Sequence, residues 1–313
     1  MDAGDKWVNI ENETRLYHQL MAFSQDYLEI TNTRVYRKKK LAHYDKGKPL
    51  KTRVNDVFKR IMLAPLWRRV NSTSGNTNTY CSNNSLKYKR KDRVAVYTCI
   101  VGEYDDLIEP ICVDSFVDYF VFTDQFVPSS SIWKKVDITE FDDYNKLTAV
   151  DLNRKIKILS HKYLGDYKYT VYIDGVVKLI VPVRPWLEEL GGFGFAVHFH
   201  NKRDCIYNEA QVVKKLKRGN YKLLEKQIRK YEKEGYPHKN GMYENTVLLR
   251  NNEDGETNEL MENWWDEYNL FPTRDQISLP YVIWKTGYNR KKICILGMDI
   301  DANPRIIRNL RHK

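Results

Sequence analysis

The sequence lacks the patterns that mark disulfide-stabilised and zinc-binding proteins. Its 313 residues include only five cysteines, and no two of them form a CxxC pair. An odd number of scattered cysteines is typical of reduced thiols. We therefore expect neither a disulfide framework nor a zinc site.

Long apolar runs are absent as well. No segment approaches the roughly 20 consecutive apolar residues that span a bilayer. The first thirty residues carry six carboxylates, among them Asp2, Asp5, Glu11 and Glu13, and no apolar core of a secretory signal. A hydrophobic content of 42% still suits a folded globular chain. The sequence therefore predicts a cytoplasmic protein without a signal peptide or a membrane-spanning segment.

An excess of positive charge is confined to the start of the chain. Residues 1–92 hold 19 Lys and Arg against 9 Asp and Glu, whereas the remaining residues hold 33 against 32. This near-neutral balance argues against nucleic acid as a partner of the main part. Within the basic part, residues 53–70 combine an apolar helical stripe with arginines and Trp67. That stripe either packs on the main domain or contacts an anionic membrane surface peripherally.

A polar stretch at residues 71–84 predicts a linker, because Ser, Thr, Asn and Gly dominate it. We place a basic, partly helical extension at residues 1–92 and one α/β domain at residues 93–313. Strand and helix patterns alternate in that domain, which predicts a mostly parallel sheet flanked by helices. The predicted strands are 93–100, 119–122, 169–173, 193–199 and 246–250, and the predicted helices are 144–164, 208–231 and 259–268.

Polar residues follow three of the predicted strands. They are Thr98, Gly102 and Tyr104 at the first strand, Asp124 at the second and Asp174 at the third. A single aspartate at a strand end is usually a turn former or a helix cap. Ligands of α/β sheets bind beyond the carboxyl ends of the strands, so three such ends together predict a binding site.

Asp174 and a pair of histidines are the candidate metal ligands. A carboxylate at the end of a buried strand can hold a divalent cation that bridges two phosphates. The second carboxylate of such a site usually stands two residues further on, but here that residue is Val176. His198 and His200 share one side of a predicted strand and are either structural or metal-binding.

Three cationic or donor side chains share one face of the predicted helix at 144–164. Arg154, Lys157 and His161 follow an i, i+3, i+7 spacing. They either form a solvated face or compensate the charge of a diphosphate. Further along, Glu244 lies in a turn-rich loop as a candidate general base or solvated carboxylate. Asp275 is either a helix cap or a ligand of the acceptor.

Eight segments, taken in order, resemble a known family. They are RVAVYTCIVGEYDDL, FTD, NRKIKILSHKYL, YTVYIDGVVKL, HFHNKRDCIYNEA, GMYENTVLLR, WWDEY and RDQISLPYVIWK. This set resembles the glycosyltransferase-like family known as domain of unknown function 616, which includes mucilage-related and turgor-regulation-defect proteins of plants. The resemblance covers roughly residues 93–284.

The resemblance implies a GT-A-like fold and transfer of a sugar from a nucleotide-sugar donor, here expected to be a UDP-sugar, to a glycan, glycolipid or glycoprotein. It implies Mn²⁺ or Mg²⁺ at Asp174 and His200, although Val176 departs from the usual pattern. It also implies specific site residues. Thr98, Gly102, Tyr104, Asp124, Arg154, Lys157, Asp174, Arg203 and Gln276 would bind the nucleotide sugar, with Glu244 and Asp275 as catalytic residues.

Two other functions remain open at this stage. One plant branch of the family is associated with ceramide hydrolysis, so an amide hydrolase is the first alternative. The sequence contains neither an HExxH nor a GxSxG motif to support it. The second alternative is a non-catalytic basic binding module, and that function would depend on residues 1–92.

Overall fold

The computed structural model describes residues 92–114, 116–216, 219–297, 300, 303 and 305–308. The predicted extension at residues 1–92, with its linker at 71–84 and its membrane-contact segment at 53–70, lies outside the described residues except for Asp92. No helix in the described part of the chain is both long and apolar enough to cross a bilayer.

Strands and helices alternate along the described chain. The strands are β1 (Val94–Ile100), β2 (Val117–Thr123), β3 (Lys134–Asp137), β4 (Tyr169–Ile173), β5 (Val177–Leu179), β6 (Phe195–Phe199), β7 (Tyr243–Asn251), β8 (Ile293–Ile295) and β9 (Ile306–Arg308). The helices are α1 (Ala149–Ile158), α2 (Ser160–Tyr163), α3 (Arg184–Leu190), α4 (Ile206–Lys215), α5 (Tyr221–Lys233), α6 (Gly255–Leu270) and α7 (Asp275–Lys285).

Seven of these strands form one mixed sheet in the order β3-β2-β1-β4-β7-β6-β8. Strand β7 is antiparallel to its neighbours β4 and β6, and the other neighbouring pairs are parallel. Strands β5 and β9 pair separately as an antiparallel ribbon. The mostly parallel sheet is therefore as predicted.

Both faces of the sheet are buried, which explains the continuous apolar runs. Ala95, Tyr97 and Cys99 of β1 belong to one hydrophobic core, whereas Val94 and Val96 belong to the other. Successive side chains of a strand point to opposite faces, so each run contributes to both cores. Helices α1, α4, α6 and α7 contribute residues to the first core and α3 to the second. The carboxyl ends of β1, β2 and β4 lie at one edge of the sheet.

Two predicted helices are wrong in their extent. The predicted helix at 144–164 begins only at Ala149, where Thr148 caps it by accepting a hydrogen bond from the Asp151 amide, and it is interrupted at Leu159. The predicted helix at 208–231 is two helices, α4 and α5. Gly219 with φ of 69° and the cap Asn220 lie between them.

Candidate functional site

Gly102 and Asp124 are in contact at the carboxyl edge of the sheet, as predicted from their positions after neighbouring strands. The Gly102 amide donates to both carboxylate oxygens of Asp124 at 3.1 Å. Gly102 has φ of 67°, a conformation that favours glycine. The Tyr144 hydroxyl donates to Asp124 at 3.2 Å. Parallel neighbours β1 and β2 bring these loops together.

Thr98 and Tyr104 lie on either side of this contact along the chain. Thr98 is buried within β1, and its Oγ1 has no hydrogen-bond partner among the described residues. Tyr104 is 61% exposed after the strand. An exposed aromatic ring can stack on a planar group.

Four charged side chains form an ionic cluster beside this edge, defined as Arg154, Lys157, Asp174 and Asp275. The Lys157 side chain is only 2% exposed. Its Nζ lies 2.9 Å from Asp275 Oδ2 and 3.2 Å from Asp174 Oδ1. Arg154 Nε lies 3.6 Å from Asp275 Oδ1. The predicted residues therefore meet where α1, the end of β4 and the start of α7 come together.

Two members of the cluster, Asp275 and Arg154, are held in their ionised forms. Burial raises the pKa of Asp275, but the charges of Lys157 and Arg154 outweigh burial and hold that pKa well below its usual range. Burial likewise lowers the pKa of Arg154, but Asp275 and Asp174 outweigh it and raise that pKa. Two cations thus balance two carboxylates in a largely buried place.

Arg250 and Tyr97 hold the end of α1, and with it Lys157. Nη1 of Arg250 donates to the carbonyl oxygens of Lys157 and Ile158, each at 2.8 Å. The Tyr97 hydroxyl donates to the Lys157 carbonyl at 2.8 Å and accepts from Arg250. The last carbonyls of a helix lack partners within it and carry partial negative charge. Neither residue was predicted from the sequence, although an arginine within an apolar strand run is a usable signal.

A polar pocket of about 210 Å³ lies next to the ionic cluster. Its lining includes Arg274 and Gln276, which precede and follow Asp275 in the sequence. Gln276, which follows Asp275 in α7, donates from Nε2 to Glu244 Oε1 at 2.8 Å. Arg274 donates to Gln276 Oε1 at 2.6 Å, and Thr246 donates to Glu244 Oε1 at 2.9 Å. Glu244 lies in β7, not in the predicted loop.

His200 forms part of the pocket wall with its ring fixed by the backbone. Its Nδ1 accepts from the amides of Lys202 and Arg203 at 3.1 and 3.2 Å, and its Nε2 lies 3.9 Å from Glu244 Oε2. Burial, followed by the charges of Arg203, Lys202 and Arg274, lowers the pKa of His200 to about 3. The imidazole is therefore neutral near neutral pH.

The other two histidines of the sequence analysis lie apart from His200. The Asn303 amide lies 2.7 Å from His198 Nε2. Strand β6 ends at Phe199, so His200 lies beyond the strand that contains His198. His161 follows the break in α1 and contacts Glu262 at 3.1 Å. Neither His198 nor His161 joins the ionic cluster or the pocket.

The donors at Asp174 and His200 do not fit a divalent cation. Among the described residues no three or more His, Cys, Asp or Glu side chains are grouped to hold a metal ion. Asp174 faces the Lys157 ammonium instead. A neutral imidazole has one N–H and one lone pair, and in His200 the backbone amides engage the lone pair of Nδ1. The predicted Mn²⁺ or Mg²⁺ requirement stays a prediction for experiment.

Further residues near the site were given no role by the sequence analysis. The Asp105 carboxylate packs against Gly175, where a β-carbon would lie 3.2 Å from Asp105 Oδ2. In the pocket, the buried Glu209 pairs with both Arg203 and Arg274. Arg308 of β9 lies 4.0 Å from Glu244 Oε1. A doubled acid after Tyr104 is a signal for Asp105, but none marks Arg308.

Comparison with known proteins defines the class of protein. The family model described as "TOD1/MUCI70, glycosyltransferase-like domain" matches residues 66–312. The sheet confirms the predicted α/β class, and the match makes the chain a glycosyltransferase-like protein. It belongs to the TOD1/MUCI70 family. The match begins within the predicted extension and is longer than the resemblance at 93–284.

The crystal structure of mouse xyloside xylosyltransferase 1 in its apo form is similar to the chain with a TM-score of 0.39 and 10% identity. The similarity covers 65% of this chain and 85% of that chain. No curated protein matches the chain by sequence.

Proposed function

We propose that this chain transfers a sugar from a UDP-sugar to a hydroxyl group of a glycan, glycolipid or glycoprotein. The observation that carries the proposal is the buried Lys157, which lies between Asp174 and Asp275 at the carboxyl edge of the sheet. Lys157 and Arg154 hold the pKa of Asp275 well below its usual range, and groups with perturbed pKa values cluster at functional sites. Membership of a glycosyltransferase-like family supports the same reaction class.

The nucleotide is assigned to the end of the edge formed by β1 and β2. The exposed ring of Tyr104 suits stacking on a base, and the Asp124 carboxylate suits an N–H donor of a base. Gly102 allows close approach of the backbone because it has no side chain. Thr98 supplies a buried hydroxyl group beneath them.

The diphosphate is assigned to Arg154 and Lys157. Transfer forms a bond between the acceptor oxygen and the anomeric carbon and breaks the bond from that carbon to the diphosphate, which leaves with the electron pair. Cations aimed at the leaving group stabilise the charge that develops on it. Arg154 and Lys157 are the cations that we assign to this role, and their partners Asp174 and Asp275 orient them and offset part of their charge.

Glu244 and Asp275 then have different roles. A carboxylate whose pKa is held well below its usual range is a weak base, so Asp275 orients Lys157 and Arg154 and takes no proton. Glu244 is oriented by Gln276 and Thr246. We assign Glu244 to the acceptor hydroxyl, from which it takes the proton released on transfer.

Thermal-shift measurements with UDP and GDP test the proposal. A ligand at about 100 times its dissociation constant adds about 2.7 kcal/mol of stability. For a domain of this size that corresponds to a rise in Tm of roughly 5–10 °C. We expect a rise with UDP for the wild type and for Lys230→Met, a control that removes a lysine paired with Glu267, and a much smaller rise for Lys157→Met.

Repeating the titration with EDTA, Mg²⁺ and Mn²⁺ tests the cation. A rise that EDTA leaves unchanged supports charge compensation by Arg154 and Lys157, whereas a rise that needs Mg²⁺ or Mn²⁺ supports the sequence-based prediction. If no nucleotide raises the Tm of the wild type under any of these conditions, the proposed function is wrong.

A further inference from the structure

The polar pocket beside the ionic cluster carries more positive than negative charge. Twelve residues line it, and they include four cations and two carboxylates. The cations are Lys202, Arg203, Arg274 and Arg308, and the carboxylates are Glu209 and Glu244. Its histidine adds no charge near neutral pH, because the pKa of His200 is about 3. The lining therefore has a surplus of two positive charges.

One buried carboxylate holds two of the guanidinium groups. Arg203 and Arg274 both direct Nε towards Glu209, and Arg274 does so at 3.8 Å. The side chains of Glu209 and Arg203 are 4% and 10% exposed. A planar guanidinium held in place loses little further freedom when it binds a second anion. Glu209 therefore orients both guanidinium groups, while its single negative charge balances only one of them.

The position of the pocket indicates which part of a substrate would enter it. Gln276 belongs to the pocket lining and directly follows Asp275 of the ionic cluster. Glu244, the proposed base, belongs to the lining as well. A group bound here therefore lies beyond the diphosphate, on the side of the sugar and the acceptor.

We propose that this pocket binds an anionic group, a carboxylate or a phosphate, that is carried by a sugar of the donor or of the acceptor. The inference rests on the proposed function for the identity of the neighbouring ligand. Arginine forks match the two oxygens of a carboxylate or a phosphate, which a neutral sugar does not offer. The pocket therefore determines the substrate class by charge.

Calorimetric titration of the full chain tests this pocket in two arms. In the acceptor arm, UDP is present and the probes are glucuronate, glucose 6-phosphate and neutral glucose. In the donor arm, UDP-glucuronate is compared with UDP-glucose. Each arm uses the wild type, Arg274→Gln and the control Arg229→Gln, which removes a 78% exposed arginine of α5.

In at least one arm we expect the wild type and Arg229→Gln to bind the anionic sugar about ten-fold more tightly than the neutral one. Arg274→Gln should reduce that preference by about ten-fold. The arm that responds identifies the source of the anion. The inference is wrong if neither arm shows a preference for the anionic sugar, or if Arg274→Gln leaves the preference unchanged. A chain that binds UDP but treats charged and neutral sugars alike retains the proposed function and loses this inference.

Discussion

Replacing Asp275 by asparagine removes one charge from the ionic cluster and nearly preserves the shape of the side chain. Asp275 Oδ2 lies 2.9 Å from the Nζ of Lys157, whose side chain is 2% exposed. Removing one partner of a buried ion pair costs about 3–5 kcal/mol. In the variant, Lys157 keeps one carboxylate partner, because Asp174 lies 3.2 Å from it with a side chain that is 30% exposed. We therefore expect a loss near the lower limit, about 3 kcal/mol.

Thermal unfolding measures this loss. A change of about 3 kcal/mol lowers the Tm of a domain of this size by roughly 6–12 °C. The control is Asp266→Asn, which changes an exposed aspartate of α6 in the same way. Equal Tm values for Asp275→Asn and Asp266→Asn would refute the ionic cluster as a stabilising feature.

The double variant Lys157→Met, Asp275→Asn distinguishes the loss of the ion pair from the cost of burying a charge that lacks its partner. Each single change leaves a buried charge without one of its partners, whereas the double change removes both charges. The double variant should therefore lose less stability than the two single variants together. Because the folded pKa of Asp275 lies below its unfolded value, its contribution is present above about pH 4 and is lost as the pH falls below that value.

Three further changes test other parts of the structure. Arg250→Met should lower the free energy of unfolding by about 3 kcal/mol in denaturant titrations, because the carbonyl of Lys157 loses a charged donor; an unchanged midpoint would contradict this role. Gly194→Ala should cost about 2 kcal/mol by the same assay, since its β-carbon would lie 1.6 Å from Oδ2 of the helix cap Asp254. Between pH 7 and pH 5 the wild type should lose about 2 kcal/mol through His200, whose pKa falls from 6.5 to about 3 on folding. His200→Asn should therefore lose about 2 kcal/mol less than the wild type, while both proteins share the loss caused by the lowered pKa of His198. An equal loss in both proteins would exclude that origin.

The contacts that the sequence predicted are those set by regular geometry. Gly102 and Asp124 follow parallel strands and therefore meet at one edge. Arg154 and Lys157 are three residues apart on a helix and therefore reach the same carboxylate, that of Asp275. Strand ends and helical spacing are local properties, which a sequence displays directly.

The contacts that escaped prediction depend on tertiary packing or on the point at which a strand ends. Arg250 reaches the end of α1 only because β7 lies beside β4 in the sheet. The pairing of His198 with His200 depended on strand alternation through both residues, but β6 ends at Phe199, and the amides of Lys202 and Arg203 fix the ring of His200 beyond it. Glu209 holds Arg274 from a distant helix, and no spacing in the sequence marks that pair.

Release of UDP from a panel of UDP-sugars tests the central claim most directly. The wild type, Lys157→Met and the control Lys230→Met would be incubated with each donor, and liberated UDP would be measured over time. We expect the wild type and the control to release UDP from at least one donor. Loss of a charge-assisted contact to the leaving group should slow Lys157→Met by about 100-fold or more. If Lys157→Met matches the wild type, or if the wild type releases no UDP from any donor, the account of this site is contradicted.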